Sequence, residues 1–204
     1  EGDAAEMHWE LAIFKQATVN AMVMPGGKIS VFAGILDVAQ NQHQLASVLG
    51  HEMAHATSKH ANERASRGAV TGTAIDITAA ILGAPTDPIY TRSQYERAAQ
   101  RAYGIQGAFE ALEDLGINRP FSRMQESEAD EIGMLYMARA GFDPRESVQL
   151  WKNMSAQSET KVAEMLSTHP SDETRLNAHI AQLTDALVIY NQAQAEGRNP
   201  QCQR

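Results

Sequence analysis

The sequence has very little cysteine, no surplus of positive charge and no hydrophobic segment long enough to cross a membrane. Cys202 is the only cysteine among 204 residues, so no disulfide can form within the chain and cysteine usage indicates no redox compartment. The formal net charge of −8 argues against nucleic-acid binding, because phosphate backbones are bound by basic surfaces. What remains is an acidic globular chain whose length suits one domain with a hydrophobic core.

The segment that comes nearest to a membrane span is 69–84, AVTGTAIDITAAILGA, which contains Asp76. It is shorter than the roughly 18–20 apolar residues that a spanning helix needs. A buried or amphipathic helix is therefore predicted, with a membrane-surface segment as the alternative. Because the sequence begins at Glu1 and not at methionine, we expect any signal peptide or lipid-anchoring cysteine to lie upstream of it.

Local patterns predict a small sheet in the N-terminal third. Residues 4–16 are interpreted as a helix, and 17–24 and 28–34 as two short strands. Between the strands, Pro25-Gly26-Gly27 predicts a tight turn, since proline fixes φ and glycine allows positive φ. The two strands are therefore expected to pair as a hairpin.

The rest of the chain is predicted to be helical. Asn41 is a candidate cap for a long helix over about 42–67, whose apolar residues recur at helical spacing. Further helices are predicted over 89–115, over about 124–140, after Pro144 and at the end of 166–183. The fold class is therefore α+β and mainly α, with a single domain over 1–187 and a polar, flexible tail over 188–204.

The run LGHEMAHATSKH, residues 49–60, contains the pattern H-E-x-x-H. Positions four apart stand on one face of a helix, so His51 and His55 can bind one metal ion while Glu52 holds a water beside it. The alternative is that the pattern occurs by chance, since this stretch is rich in histidine. A third histidine at the metzincin spacing is absent, because Ser58 and Ala61 occupy the glycine and histidine positions of that pattern.

A third ligand must therefore come from elsewhere, and 125–133, QESEADEIG, is the best source. Glu126 and Asp130 share one face of the predicted helix with small residues, whereas Glu128 is rotated by about 200° and points away. Asp130 can accept the second N–H of a liganding histidine. The alternative is that these acids form a solvated helix face. His60 is assigned to the surface.

Four motifs in this order resemble the gluzincin endopeptidases of peptidase family M48, the family of HtpX, BepA, LoiP, the mitochondrial Oma protease and the CAAX prenyl protease. They are VNAMVMPGGKISVFAGIL, GHEMAH, FSRMQESEAD and STHPSDETR. The similarity covers about 17–183, with Gly34-Ile35 as a mild departure where the family has glycine-leucine. The resemblance implies a zincin-like metallopeptidase domain with a small N-terminal sheet and a helical C-terminal part.

The resemblance also implies a role for each matching residue. His51, His55 and Glu126 correspond to the ligands of one Zn2+ per chain, Glu52 to the general base, and Asp130 to the aspartate that supports a liganding histidine. His169 and Arg175 correspond to a catalytic pair near the cleft that contacts substrate or stabilises the transition state. In some relatives the histidine caps the zinc in a latent state.

The alternative for His169 is a capping or packing residue, and for Arg175 a salt bridge to the helix of Glu126. We also expect an open sheet edge that binds extended substrate, with the backbone of Asn20 and Ala21 on the other side of the cleft. The predicted edge comprises Ile29, Ser30, Val31, Phe32 and Ala33.

The resemblance implies an endopeptidase that cleaves unfolded or misfolded proteins in the bacterial periplasm, as part of envelope protein quality control. Its membrane-embedded members carry transmembrane helices, whereas this chain resembles the soluble branch, often lipoproteins at the outer membrane. Two other classes stay open. One is a latent or chaperone-like zinc protein with a plugged cleft, in which His169 is a fourth ligand. The other is a zinc hydrolase of small molecules. A serine hydrolase is poorly supported, because no G-x-S-x-G elbow is present.

Overall fold

The computed structural model describes residues 2–24, 26–61, 63, 122–157, 159–169 and 173–202. The described residues form six α-helices, one 3₁₀ helix and a three-stranded sheet, which confirms the predicted α+β, mainly α class. The elements are α1 (Gly2–Glu6), β1 (Glu10–Phe14), β2 (Ala21–Met24), β3 (Lys28–Phe32), a 3₁₀ helix (Ala33–Asp37), α2 (Gln42–Thr57), α3 (Arg123–Arg139), α4 (Arg145–Ser155), α5 (Glu159–Thr168) and α6 (Glu173–Ala195). None of these helices is both long and apolar enough to cross a membrane. The predicted helices at 69–84 and 89–115 lie outside the described residues.

The sheet has the strand order β1-β3-β2. β2 and β3 pair antiparallel, as predicted for a hairpin, and both glycines of the turn have positive φ, 86° at Gly26 and 80° at Gly27. β1 adds to the other side of β3 in parallel. The prediction of a helix over 4–16 is therefore wrong, because pairing with a strand that is distant in sequence decides the conformation of 10–14.

The central position of β3 also corrects the prediction of an open edge at Ile29–Ala33. Both sides of β3 are hydrogen-bonded to neighbouring strands, so this strand has no free backbone edge to offer an extended peptide. Among the described residues, the edge strands of this sheet are β1 and β2.

Helix α2 begins where the sequence predicts it. The side chain of Asn41 accepts hydrogen bonds from the backbone N–H groups of His43 and Gln44, each at 3.0 Å. The prediction of one continuous helix to about residue 67 is wrong, because α2 ends at Thr57 and Lys59 adopts a φ of 57°. Residues 60, 61 and 63 are again helical, and 64–67 lie outside the described residues. The helix that carries H-E-x-x-H therefore ends two residues after His55.

Helix α3, predicted over 124–140, spans Arg123–Arg139 and starts with a reciprocal capping box between Ser122 and Gln125. It packs directly on α2 through two glycines. A Cβ atom on Gly133 would lie 2.7 Å from the backbone nitrogen of His51, and one on Gly50 would lie 2.6 Å from the carbonyl oxygen of Gly133. Because neither helix has a side chain at this contact, the two backbones approach closely beside the H-E-x-x-H motif.

The hydrophobic core lies between the sheet, α2 and the C-terminal helices. Its buried members are Val19, Ala21, Ile29, Val31, Ile35, Val38, Ala39, Val48, Leu150, Met154, Val162 and Met165. A smaller cluster of Met134, Ala138 and Ala186 joins α3 to α6. The tail predicted from residue 188 is instead helical as far as Ala195, because Ala193 is buried and extends this packed face.

Candidate metal centre

The two histidines of α2 and the first glutamate of α3 converge on one point. The Nε2 atoms of His51 and His55 lie 3.0 Å apart. The carboxylate of Glu126 is 3.5 Å from the former nitrogen and 3.3 Å from the latter. The side chains of His55 and Glu126 are 1% exposed and that of His51 is 13% exposed. The structure thus brings together the three residues predicted as metal ligands.

The hydrogen bonds around the two imidazoles determine which ring nitrogens face this point as acceptors. His51 Nδ1 lies 3.0 Å from Asp130 Oδ1, so this nitrogen donates to the carboxylate, and in the neutral ring Nε2 then carries the lone pair. Asp130 therefore takes the supporting position predicted for it. The other ring is oriented in the same sense, since His55 Nδ1 contacts His60 Nδ1 at 2.8 Å.

When both rings are neutral, the two imidazole lone pairs and the buried carboxylate point at one another and repel unless a proton or a metal cation lies between them. Two histidines and one glutamate are also a donor set that catalytic zinc sites use, with one position left for water. The ligand atoms of His51, His55, Glu126 and His169 all lie within 4.8 Å of one another. The residues present therefore fit a divalent metal ion.

The pKa shifts agree with a strongly negative centre. Burial disfavours the charged form of Glu126, but hydrogen bonds from His169, His51 and His55 outweigh it and hold the pKa of this carboxyl far below its usual range. Burial lowers the pKa of His51, but Asp130 and Glu126 outweigh it and raise this pKa to about 10. The same negative charge that favours a proton on an imidazole also favours a metal cation in its place.

Glu52 lies beside the cluster without joining it, as its predicted role requires. Its side chain is 1% exposed, and within the described part of the chain its Oε1 atom accepts no hydrogen bond. Burial raises the pKa of Glu52, which the positive charge of neighbouring imidazoles and a hydrogen bond from the backbone N–H of Val23 only partly offset. A carboxyl group with a raised pKa is suited to taking up and releasing a proton.

Arg175 forms ion pairs with both Glu126 and Asp130 of α3. Its Nε and Nη2 atoms donate to the two oxygens of Asp130 at 2.7 and 2.8 Å, and Nη1 lies 2.8 Å from Glu126 Oε2. The guanidinium also stacks over Trp151, 4.6 Å from the ring centroid. Of the two roles considered for Arg175, this geometry matches the salt bridge to the helix of Glu126.

His169 lies directly over the metal ligands. Its Nδ1 atom is 3.1 Å from Glu126 Oε1 and 3.2 Å from His51 Nε2, and the residue is 4% exposed. Its Nε2 atom lies 3.4 Å from the carboxylate of Glu52. The residue occupies the position of a possible fourth ligand in this conformation.

The residues predicted to bind substrate lie mostly in the core. Asn20, Ala21, Ile29, Ser30, Val31 and Phe32 are each at most 6% exposed, and Ala33 begins the 3₁₀ helix. The strand that reaches the centre is β2, whose Val23 N–H donates to Glu52. The predicted strand pair is therefore next to the site, but the edge strand beside Glu52 is β2, not β3.

The sequence analysis placed His60 and Glu128 away from the metal ligands, whereas both lie near the centre. His60, assigned to the surface by its spacing, is 1% exposed and contacts His55, and its Nε2 atom lies 3.3 Å from Glu128 Oε2. The only signals in the sequence were a further histidine just past the motif and a second acid two residues after Glu126.

Comparison with known proteins gives a consistent result. Residues 1–182 match the family described as Peptidase family M48. The mitochondrial metalloendopeptidase OMA1 of Schizosaccharomyces pombe is 33% identical over 187 residues, which are 90% of this chain and 49% of that protein. Human metalloendopeptidase OMA1 is 33% identical over 189 residues, 91% of this chain and 34% of that protein.

A bacterial relative also aligns with most of the chain. The beta-barrel assembly-enhancing protease of Yersinia pestis is 31% identical over 164 residues, 78% of this chain and 31% of that protein. The chain thus spans about half or less of the length of these relatives. The extent of the family match, together with the geometry of the motif residues, confirms the resemblance seen in the sequence, and the chain belongs to Peptidase family M48.

Proposed function

We propose that this chain is a zinc-dependent endopeptidase that cleaves unfolded or misfolded polypeptides. The observation that carries the proposal is the convergence of ligand atoms from His51, His55 and Glu126 next to the buried carboxyl group of Glu52. The relatives named metalloendopeptidases support a metal-dependent peptidase, and the two-histidine, one-glutamate donor set favours zinc.

In the proposed reaction, His51, His55 and Glu126 hold the metal, and Asp130 keeps His51 in the tautomer that presents Nε2. A zinc ion bound there supplies Lewis acidity, which lowers the pKa of water to about 7 and polarises the peptide carbonyl. Glu52 accepts a proton from the attacking water and delivers it to the departing amine nitrogen. The raised pKa of Glu52 suits both steps, since the group must hold the proton between them.

His169 and Arg175 differ in what they can contribute. The imidazole of His169 lies between the ligands and Glu52, where it can donate to a developing oxyanion after a small shift. The guanidinium of Arg175 is bound to both acids of α3, so its proposed role is to position them. The edge strand β2 is the element on which an extended substrate would pair beside Glu52.

Three variants test the proposal. Glu52→Gln is expected to keep stoichiometric zinc and to lose about 10²–10⁴-fold of the activity, the range that general acid–base catalysis contributes. Glu126→Ala should lose both zinc and activity, whereas Glu131→Ala, an exposed acid on the same helix, should keep both. Metal content and casein cleavage are measured on the same preparations, with a panel of small esters to detect a hydrolase of small molecules. Full zinc and full activity in Glu126→Ala would refute the ligand assignment.

A latent protein with a plugged cleft is the second candidate, because His169 occupies the position of a fourth ligand. Substitution of His169 by alanine distinguishes the two. If the imidazole blocks the centre, casein cleavage by His169→Ala should exceed that of wild type. If the imidazole assists the reaction, cleavage should fall while zinc content stays the same.

The proposed setting is bacterial envelope quality control, in the periplasm and with possible anchoring to the outer membrane through an upstream lipidated cysteine. The relative named a beta-barrel assembly-enhancing protease supports this setting, whereas the relatives named OMA1 are mitochondrial. Fractionation of cells that express the full-length protein tests it. Recovery with cytoplasmic markers would contradict it.

A further inference from the structure

His60 contacts His55 on the side of its ring that faces away from the other ligands. The two Nδ1 atoms lie 2.8 Å apart, and the rings meet edge to face at 71°. His60 Nε2 lies 3.3 Å from Glu128 Oε2. The other carboxylate oxygen of Glu128 accepts a hydrogen bond from Ser58 Oγ, also at 3.3 Å. A line of polar contacts therefore runs from a buried ligand to a glutamate whose side chain is 56% exposed.

Only one arrangement of protons satisfies every contact in this line when His55 binds metal. Since Nε2 of His55 faces the other ligands, its Nδ1 must carry the proton of the neutral ring. That N–H can donate only if His60 Nδ1 is the acceptor. The proton of His60 is then on Nε2, where the carboxylate of Glu128 accepts it. Each ring thus fixes the tautomer of the next.

The backbone is shaped to make this contact. On a continuous helix, a residue five positions after His55 would be rotated by about 140° from it and could not face the same ring. Instead, α2 stops at Thr57, and Lys59 takes a φ of 57°, a conformation that residues with a Cβ adopt rarely and mostly at functional or tightly constrained positions. The turn at 58–59 interrupts the helix, and the two rings lie in contact with their centroids 5.0 Å apart.

We propose that His60 is a positioning residue that fixes the orientation and tautomer of His55, and that Glu128 anchors it from the surface. The assignment rests on the proposed function, because it requires that His55 binds a metal ion through Nε2. Asp130 supports His51 in the same manner, so each histidine ligand has its own acceptor. Acceptors of this kind change metal affinity or activity by roughly 10–100-fold when they are removed.

Zinc affinity of the full chain, measured by competition with a chromophoric chelator, tests the assignment. His60→Leu removes the acceptor and should weaken zinc binding by roughly 10–100-fold. His60→Asn places an amide oxygen where Nδ1 stands and should restore affinity to within about 3-fold of wild type, since a hydrogen bond remains. His43→Leu is the matched control. His43 lies on the same helix near its first turn and accepts a hydrogen bond from the backbone N–H of Asp143, so its loss should leave zinc affinity unchanged.

The visible spectrum of the cobalt-substituted protein provides a readout that does not depend on activity or stability. A change in the orientation of His55 should shift the ligand-field bands in His60→Leu but not in His60→Asn. Wild-type affinity and spectrum in His60→Leu would overturn the assignment and leave the proposed function intact. Equal weakening in the leucine and asparagine variants would show that shape, not the hydrogen bond, matters, and would also overturn it. A wild-type chain that binds no stoichiometric metal would overturn both proposals.

Discussion

Replacement of Arg175 by glutamine tests whether the buried ion pairs hold the two acids of α3 in place. Arg175 is 3% exposed, while Glu126 and Asp130 are at most 7% exposed. Without the guanidinium, two buried carboxylates lose the cationic partner that bridges them, and breaking a buried pair in this way costs roughly 3–5 kcal/mol. We therefore expect Arg175→Gln to lower the free energy of unfolding of the metal-free protein by about that amount, measured by urea denaturation with a chelator present.

Arg145 provides a matched control, because it binds Asp143 with the same two-bond geometry on the surface. Its Nε and Nη2 atoms lie 2.9 and 2.6 Å from the two carboxylate oxygens, and its side chain is 64% exposed. Exposed pairs are worth about 0–1 kcal/mol, so Arg145→Gln should lower the free energy of unfolding by less than about 1 kcal/mol. The difference between the two variants combines the effect of burial with that of the contacts of Arg175 to Glu126 and Trp151.

A double-mutant cycle with Asp130→Asn separates this ion pair from the stacking of Arg175 on Trp151. We expect a coupling free energy of about 1–3 kcal/mol between positions 130 and 175, in the range found for residues in direct contact. If Arg175→Gln proves no more destabilising than Arg145→Gln, the argument from burial is refuted. Restoration of full stability by zinc alone would indicate that the metal, not Arg175, neutralises the carboxylates.

Two further predictions follow from the close helix contact and from a buried histidine. Gly133→Ala places a Cβ atom 2.7 Å from the backbone of His51, so we expect a loss of about 1–3 kcal/mol in the free energy of unfolding together with weaker zinc binding. Ser127→Ala, on the exposed face of the same helix, is the control, and unchanged zinc affinity in Gly133→Ala would contradict the role of the contact. Burial lowers the pKa of His179 from 6.5 to about 4, so as the pH falls through this window the unfolded chain binds a proton that the folded one does not. The free energy of unfolding of the metal-free protein should therefore fall by about 2 kcal/mol more in wild type than in His179→Phe between about pH 7.5 and about pH 5, measured by urea denaturation. Parallel pH profiles of the two proteins would show that His179 is not responsible.

The parts of the site that depend on local spacing could be predicted from the sequence. The cap at Asn41 sets the start of α2, and four-residue spacing places His51 and His55 on one face. The same rule placed Glu126 and Asp130 together on α3. Each of these predictions needs only the geometry of a single helix, and each is consistent with the structure.

The sheet could be predicted only in part, because its pairing is not local. The hairpin of β2 and β3 follows from a turn signal between adjacent segments. The third strand does not, since the segment of Leu11 and Ile13 satisfies a helical pattern as readily as a strand pattern. Only the parallel ladder with β3, in which Leu11 lies opposite Ile29, makes it a strand and turns the predicted open edge into the centre of the sheet.

Glu128 and His60 show why helix geometry alone does not describe the surroundings of a site. Rotation on α3 predicts that Glu128 points away from Glu126, and its side chain is indeed 56% exposed. Rotation on an extended α2 would likewise carry His60 away from His55. Both residues nevertheless belong beside the centre, because α2 ends early and, after the turn at 58–59, the imidazole of His60 lies 3.3 Å from Glu128. A sequence pattern gives the direction of a side chain on its own helix. The contacts of that side chain also depend on where the neighbouring helix ends. Here α2 ends at Thr57, two residues before Lys59 with its positive φ.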